Sequence, residues 1–235
     1  MPKGRGTAAK RGHGRFMKIN LIKNLQTRGC PVCDHIEERL FHFTTHFQRD
    51  LASDEKTQED FADKGGFCPF HIWQLAAFSS DRGLARGLPA FLVKTADDLV
   101  KLAEDPSQLD SDNHAFIKDS FQCLVCDLLR QVEGKYIHLL SDLLQNEDGR
   151  LAYLSSQGVC LRHLKPLLAA TKTGEIRRFL LSAAAHRFRD IKKDLSQYAQ
   201  KHEALQRYAL TKDEKDAVRR ALIHMAGAKH ICYLS

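Results

Sequence analysis

Cys30-Pro-Val-Cys33 and Cys68-Pro-Phe-His71 are the two segments that decide the fold of this chain. The same combination returns later as Cys123-Leu-Val-Cys126 and Cys160-Leu-Arg-His163. In each copy a Cys-x2-Cys pair precedes a Cys-x2-His pair, by 34 residues in the first copy and 33 in the second. Agreement in order, residue type and spacing indicates an internal repeat, and a repeat of this kind determines the architecture.

The residues after each Cys-x2-Cys pair show the periodicity of an amphipathic helix, with apolar side chains three or four positions apart. They are Ile36, Leu40, Phe43, Phe47 and Leu51 in the first copy, and Leu129, Val132, Tyr136, Leu140 and Leu143 in the second. Three of them correspond at the shift of 93 positions that relates the two Cys-x2-Cys pairs. Each copy is therefore expected to begin with a helix.

The remaining sequence also predicts helices, and alternating strand patterns are absent. Apolar residues recur at helical spacing from Leu92 to Leu102, from Glu175 to about Leu210 and from Asp213 to Ala228. Glycines before the Cys-x2-His pairs suit helix ends that need a positive φ. We predict an all-α fold, a duplicated helical bundle with two Cys3His metal-bound helix junctions and a long C-terminal helix.

Three segments are predicted from composition and from the repeat. Residues 1–16 form a basic tail of disordered type, residues 17–107 the first repeat, and residues 108–235 the second repeat with the C-terminal helices. The net charge of +7 belongs to the tail, because residues 1–20 carry six basic side chains and no acidic one. The rest, with 30 basic and 29 acidic residues, is nearly neutral.

Three cysteines and one histidine per site are a common closed set for zinc, with the four donors in a tetrahedron. The predicted ligands are Cys30, Cys33, Cys68, His71, Cys123, Cys126, Cys160 and His163. Two sites for Zn2+ are expected, and two iron–sulfur clusters are the alternative because histidine can replace cysteine on iron. The sequence leaves two arrangements open: each repeat closes its own site, or the Cys-x2-Cys pair of one repeat combines with the Cys-x2-His pair of the other.

Helix N-termini favour thiolate, so we expect the pairs there. Pro69 suits the first turn of a helix, whereas Pro166 suggests a helix that starts after His163. His35 corresponds to Leu128 and is interpreted as a surface or supporting residue. The histidines in helical stretches are interpreted as structural (His42, His46, His138 and His186). Cys232 has no partner in the pattern and is interpreted as a small apolar residue.

These motifs resemble a bacterial and archaeal family catalogued as a domain of unknown function. The resemblance extends from Met17-Lys-Ile to about Ala228 and includes the CPxC, the G-F-C-x2-H and the second set of pairs. It implies a helical protein with Cys/His sites and no established reaction. The basic tail before Met17 departs from the usual start of such proteins.

The functional expectation is a metal-binding helical protein that acts as an adaptor or interaction scaffold with another protein. Alternatives are electron transfer through two iron–sulfur clusters, thiol–disulfide chemistry at Cys30 and Cys33, and weak nucleic-acid contact through the basic tail. The pattern favours no enzyme, since no catalytic arrangement has a supporting context. No apolar run reaches the ~20 residues of a membrane span, and a cytoplasmic location is expected because export signals are absent.

Overall fold

A computed structural model describes residues 21–106, 123–204, 206–229 and 231, and every regular element in these ranges is helical. The all-α prediction is confirmed. The helices are α1 (Pro31–Ser53), α2 (Glu55–Asp63), α3 (Pro69–Phe78), α4 (Asp81–Gly87), α5 (Pro89–Glu104), α6 (Leu124–Leu143), α7 (Glu147–Leu154), α8 (Leu161–Ala170), α9 (Gly174–Glu203), a 3-10 turn (Arg207–Ala209), α10 (Lys212–Lys215) and α11 (Ala217–Ala226).

The chain divides into two compact units. One comprises the chain up to Glu37 together with Glu133–Ile231, and the other comprises Glu38–Val132. The division falls inside helices α1 and α6, so it does not coincide with the predicted boundary between residues 107 and 108. The repeat limits therefore stay a prediction about the sequence, and the compact units follow another division.

An aromatic cluster forms part of the core of the Glu38–Val132 unit. The ring of Phe67 lies 5.1 Å from Phe61 and 4.9 Å from Phe47, and Phe91 lies 5.6 Å from Phe61. Gly66 adopts a φ of 76° beside this cluster, and an added Cβ would meet the Phe91 ring at 3.1 Å. Glycine is favoured here because a larger side chain would strain the backbone and crowd the Phe91 ring. The turn delivers Cys68 to the start of α3.

The other unit is organised around the long helix α9, which packs against α8, α10 and α11. Its buried residues Ile176, Leu180 and Ile191 lie on the predicted apolar face. The helix ends at Glu203, earlier than the sequence suggests. The predicted last helix is divided into α10 and α11 at Asp216, which adopts a φ of −105° and ψ of 7°.

Ionic contacts hold the C-terminal helices in place. The Arg220 guanidinium, 3% exposed, donates to Asp194 at 2.6 Å and to Asp216 at 2.9 Å. Arg28 binds Asp216 at 2.5 Å and Asp213 at 2.6 Å from the other side. Loss of Arg220 would remove the counter-ion of Asp194, whereas Asp216 would keep Arg28. The network fixes the position of the chain that follows α11.

The described helices include none that is both long and apolar enough to span a membrane. Helix α5 has the predicted span, but its apolar side chains do not all enter the core. Leu102 is buried, whereas Leu92, Val93, Leu99 and Val100 are each more than half exposed.

Candidate metal centres

Each of the four Cys-containing pairs lies at the N-terminus of a helix, and in the same way. The first cysteine directly precedes the helix, and its carbonyl accepts the backbone N–H four residues later, at 2.8 to 3.1 Å. The second member of the pair is the third residue of the helix. Side chains at these two positions project from the same end of the helix, where the unpaired N–H groups and the helix dipole favour negative charge. Helix N-termini were expected for the pairs of the first copy, whereas Cys160 and His163 were expected in a turn before their helix and instead lie at its start.

Centre 1 is the group formed by Cys30, Cys33, Cys160 and His163, all of them buried. The Nδ1 atom of His163 lies 3.4 Å from the sulfurs of Cys30 and Cys33 and 3.2 Å from that of Cys160. The sulfurs of Cys33 and Cys160 are 3.9 Å apart. Helices α1 and α8 thus direct their N-termini at one point.

Centre 2 is the group formed by Cys68, His71, Cys123 and Cys126, which are also buried. The Nδ1 atom of His71 lies 3.1 Å from the Cys68 sulfur and 3.4 Å from those of Cys123 and Cys126. The sulfurs of Cys68 and Cys126 are 3.8 Å apart. The helices that meet here are α3 and α6.

The pairs combine across the predicted repeats. In each centre, the Cys-x2-Cys pair of one copy meets the Cys-x2-His pair of the other, so one of the two arrangements left open by the sequence is found. Each centre nevertheless lies inside a single compact unit. The first turns of α1 belong to the unit that contains Glu133–Ile231, and the first turns of α6 belong to the unit Glu38–Val132. All eight predicted side chains are brought together; their role as metal ligands stays a prediction.

The separations within each centre fit a single tetrahedral ion. An ion bound at ~2.3 Å from sulfur and ~2.0 Å from nitrogen requires S···S edges of ~3.8 Å and S···N edges of ~3.5 Å. The observed sulfur–sulfur separations are 3.8 and 3.9 Å. All four donor atoms of a centre lie within 4.8 Å of one another. The six cysteines are free thiols without disulfides, so every sulfur is available to a metal.

The protonation of centre 1 shows how strongly its buried groups interact. Hydrogen bonds with the sulfurs of Cys30 and Cys33 hold the pKa of the Cys160 thiol far below its usual range. Burial raises the pKa of Cys30 well above its usual range. Burial acts to lower the pKa of His163, but hydrogen bonds with Cys160, Cys33 and Glu133 outweigh it and raise the pKa to about 11. A dication would replace the protons held by these groups.

In centre 2, burial and hydrogen bonds also act on the pKa values of the thiols in opposite directions. Burial raises the pKa of the Cys68 thiol. Burial also acts to raise the pKa of Cys123, but hydrogen bonds from His71 and from the backbone N–H groups of Cys68 and Cys126 outweigh it and set the pKa at about 6. One sulfur of the centre is thus readily available as thiolate, the form that binds metal.

Two groups around centre 1 were missed in the sequence. The Nε2 atom of His163 lies 3.1 Å from a carboxylate oxygen of Glu133, and the backbone N–H of Ala228 donates to the Cys33 sulfur at 3.3 Å. Glu133 lies on the apolar side of α6, between Leu129 and Tyr136, and this position is a sequence signal for its contact with His163. Nothing in the local sequence indicates the second, since 195 residues separate donor and acceptor.

Among the described residues, the other histidines considered in the sequence join neither centre. His35 is half-buried beside the ring of Tyr136, at 4.8 Å, in agreement with a supporting role. His42, His46, His138 and His186 are exposed on their helices. Cys232, the predicted boundary between residues 107 and 108 and the basic tail lie outside the described residues.

The interpretation of Pro166 is wrong. Helix α8 begins at Leu161, with Pro166 inside it. The reason is that the Cys160 carbonyl already accepts the backbone N–H groups of His163 and Leu164, at 3.0 and 2.8 Å. These bonds start the helix before the proline, which removes only the hydrogen bond to the Arg162 carbonyl.

The fold and the site define a class: helical proteins that gather two buried Cys3His groups from four helix N-termini. Within this class, the chain belongs to a family described as a family of unknown function (DUF6062), whose model matches residues 26–231. The resemblance noted in the sequence is thereby confirmed. A search of curated proteins and a search of solved structures found no match.

Proposed function

We propose that each centre binds one zinc ion, and that the ions join helix N-termini in a non-catalytic adaptor protein. The observation that carries the proposal is the convergence of three sulfurs and one imidazole nitrogen within 4.8 Å, twice in one chain. Without a metal ion, each centre would hold four ionisable side chains close together in a buried place with little water. Zinc binds thiolate and imidazole donors in the same site, and its structural sites are usually tetrahedral.

The donor separations favour single ions over iron–sulfur clusters. A cluster distributes its protein ligands over several iron atoms, so some of the sulfurs must stand farther apart than the edges of one tetrahedron. One sulfur–sulfur separation in each centre, 3.9 and 3.8 Å, matches an edge of a single tetrahedron, and no two donor atoms of a centre are more than 4.8 Å apart. This supports a mononuclear metal and speaks against electron transfer through two clusters.

The number and burial of the donors support a structural role. A catalytic zinc ion keeps a coordination position open for water or substrate, whereas four protein donors close the shell. Each centre provides four donors, and all eight side chains are buried. Binding an ion would then stabilise the fold, with ~10 kcal/mol or more of binding free energy coupled to folding.

Metal analysis of the full chain, purified anaerobically, tests this proposal. We expect two zinc ions per chain, no visible colour, and intense sulfur-to-metal bands of tetrahedral type after replacement by cobalt. Chelation should remove most of the helical circular dichroism. A brown chain with iron and sulfide, or a chelated chain with unchanged helicity and melting, would contradict the proposal.

The adaptor role is supported by exposed apolar side chains on α5. Leu92, Val93, Leu99 and Val100 are 51 to 62% exposed. They recur after seven residues and therefore share one side of the helix, which we call the α5 face. Clustered apolar exposure is typical of protein interaction sites. We propose that the α5 face binds a different protein through an apolar surface.

Paired variants test the α5 face. Leu92→Gln combined with Leu99→Gln should abolish co-purification of the partner, whereas Asp97→Gln, at an exposed position of the same helix, should retain it. Sedimentation of the purified chain provides the opposing outcome. A dimer that the leucine variants dissociate would mean that the face binds a second copy and not a different protein.

A further inference from the structure

The two histidines of the centres present the same nitrogen to the sulfurs. Nδ1 is the atom within 3.1 to 3.4 Å of the sulfurs in both His71 and His163. An imidazole that ligates a metal through Nδ1 carries its proton on Nε2. Both rings are buried, so the two Nε2–H groups point into the protein, where an acceptor matters.

Their surroundings differ at this outer nitrogen. Nε2 of His163 lies 3.1 Å from Oε1 of Glu133, a carboxylate that is 15% exposed. Neither Nε2 atom makes a hydrogen bond of good geometry, but Nε2 of His71 also has no carboxylate within ion-pair distance among the described residues, so the difference between the centres is the Glu133 carboxylate. The position that corresponds to Glu133 in the first copy, 93 residues earlier, is Leu40, a buried hydrocarbon side chain. Only one centre therefore has a carboxylate–histidine arrangement.

Centre 1 also has a hydrogen bond to one of its sulfurs from the C-terminal segment. After α11 the chain turns at Gly227, with a φ of 82°, and the N–H of Ala228 points at the Cys33 sulfur. An added Cβ at Gly227 would lie 3.7 Å from that sulfur and 3.9 Å from the sulfur of Cys160. The segment thus lies directly over the donors. Such a hydrogen bond stabilises the thiolate that holds the ion.

We propose that centre 1 retains its ion tightly and that centre 2 holds an exchangeable one, so that the chain loses zinc from centre 2 first. This inference rests on the proposed zinc binding. A carboxylate on the outer histidine nitrogen fixes the ring and strengthens its donation to the metal, and loss of such a group weakens metal binding about 10- to 100-fold. Exchange at centre 2 would act on α3, which carries the exposed Phe70 and Trp73.

The single tryptophan of the chain makes the two centres distinguishable. Trp73 follows His71 by two residues on α3 and is 76% exposed. Its fluorescence therefore reports on the helix that centre 2 anchors. Helices α1 and α8, which form centre 1, contain no tryptophan, so a change in fluorescence assigns a release phase to centre 2.

The test mixes the zinc-loaded full chain with an excess of a chromophoric chelator and follows absorbance and fluorescence together. We expect two phases of one zinc ion each, separated about 10- to 100-fold in rate, with the Trp73 signal changing in the fast phase. Glu133→Leu, which copies the environment of His71, should accelerate the slow phase by the same factor. Glu133→Gln should accelerate it less, because the amide oxygen still accepts a hydrogen bond.

Asp142→Leu is the matched control, because it removes an exposed carboxylate from the same helix and should leave both phases unchanged. Equal release of both ions, a Trp73 signal in the slow phase, or a slow phase unaffected by Glu133→Leu would each overturn the inference. Failure of the zinc proposal itself appears earlier, as fewer than two zinc ions per chain before chelator is added.

Discussion

Centre 1 and centre 2 have the same donors at the same helical positions, yet they differ in what surrounds them. Centre 1 has Glu133 behind its histidine and the Ala228 N–H on one sulfur. Centre 2 has a histidine with no carboxylate within ion-pair distance of Nε2 among the described residues and lies on a helix with exposed aromatic side chains. The comparison shows that local sequence places the donors at helix N-termini, whereas the groups around the donors come from parts of the chain that are remote in sequence.

Removal of one ligand from each centre should have the largest effect. Cys160→Ser and Cys68→Ser should each lose one zinc ion per chain and much of the binding free energy, which is on the order of 10 kcal/mol for structural zinc. The loss of stability should be greater for Cys160→Ser, because we propose that centre 1 binds its ion more tightly. Zinc content and thermal unfolding followed by circular dichroism measure both quantities. A greater loss for Cys68→Ser would reverse the comparison.

Arg220→Met should come next, with a loss of about 1–3 kcal/mol, because Asp194 loses its charged partner while Asp216 keeps Arg28. Arg220 holds α11 through Asp194 and Asp216, so the variant should also release the Ala228 N–H from Cys33. Denaturant unfolding and zinc release measure these effects. Release should accelerate at centre 1 and not at centre 2, while the exposed neighbour variant Arg219→Met should change neither.

Alanine at the two glycines before the Cys-x2-His pairs should cost less. Gly66 and Gly158 have φ values of 76° and 70°, and a left-handed conformation costs an alanine about 1–2 kcal/mol. Gly66→Ala should be the more destabilising, because its Cβ meets Phe91 at 3.1 Å, whereas the nearest atom to Gly158 is the Tyr153 hydroxyl at 3.4 Å. Denaturant unfolding of both variants measures the loss of stability, with zinc content as the control. Equal losses in the two variants would refute the role of Phe91.

The smallest effect concerns Glu214, whose carboxylate binds Lys201 at 2.8 Å and caps α10 together with Thr211. The hydrogen bond from Lys201 holds the pKa of Glu214 below its usual value. Its contribution to stability is therefore present above the ordinary glutamate pKa and is lost as the pH falls through the lowered one. Glu214→Gln should have a lower melting temperature than the natural chain at pH 7 and the same melting temperature in strong acid. A difference that persists in acid would exclude this cause.

What the sequence predicts well is local. The four Cys-containing pairs, the glycines with positive φ and the buried faces of α1 and α6 follow from spacing over one or two helical turns. Ile36, Leu40, Leu129 and Tyr136 are buried as expected. Helix α5 was also found, but its exposed Leu92 and Val93 show that an apolar pattern does not reveal whether the chain itself covers it.

What the sequence does not predict depends on contacts over more than 100 residues. The approach of Cys33 to Cys160 spans 127 positions and that of Ala228 to Cys33 spans 195. Spacing alone could not decide between pairing within and across the repeats, because chain lengths suffice for both. The start of α8 was misjudged because the hydrogen bonds of the Cys160 carbonyl outweigh the local influence of Pro166.

Zinc content of two double variants tests the crossed centres most directly. Cys33→Ser with His163→Ala removes donors from one centre only, and the chain should retain one zinc ion. Cys33→Ser with His71→Ala removes a donor from each centre, and the chain should retain none. The reverse result, with no zinc in the first variant and one ion in the second, would show that each repeat closes its own site and would contradict this account.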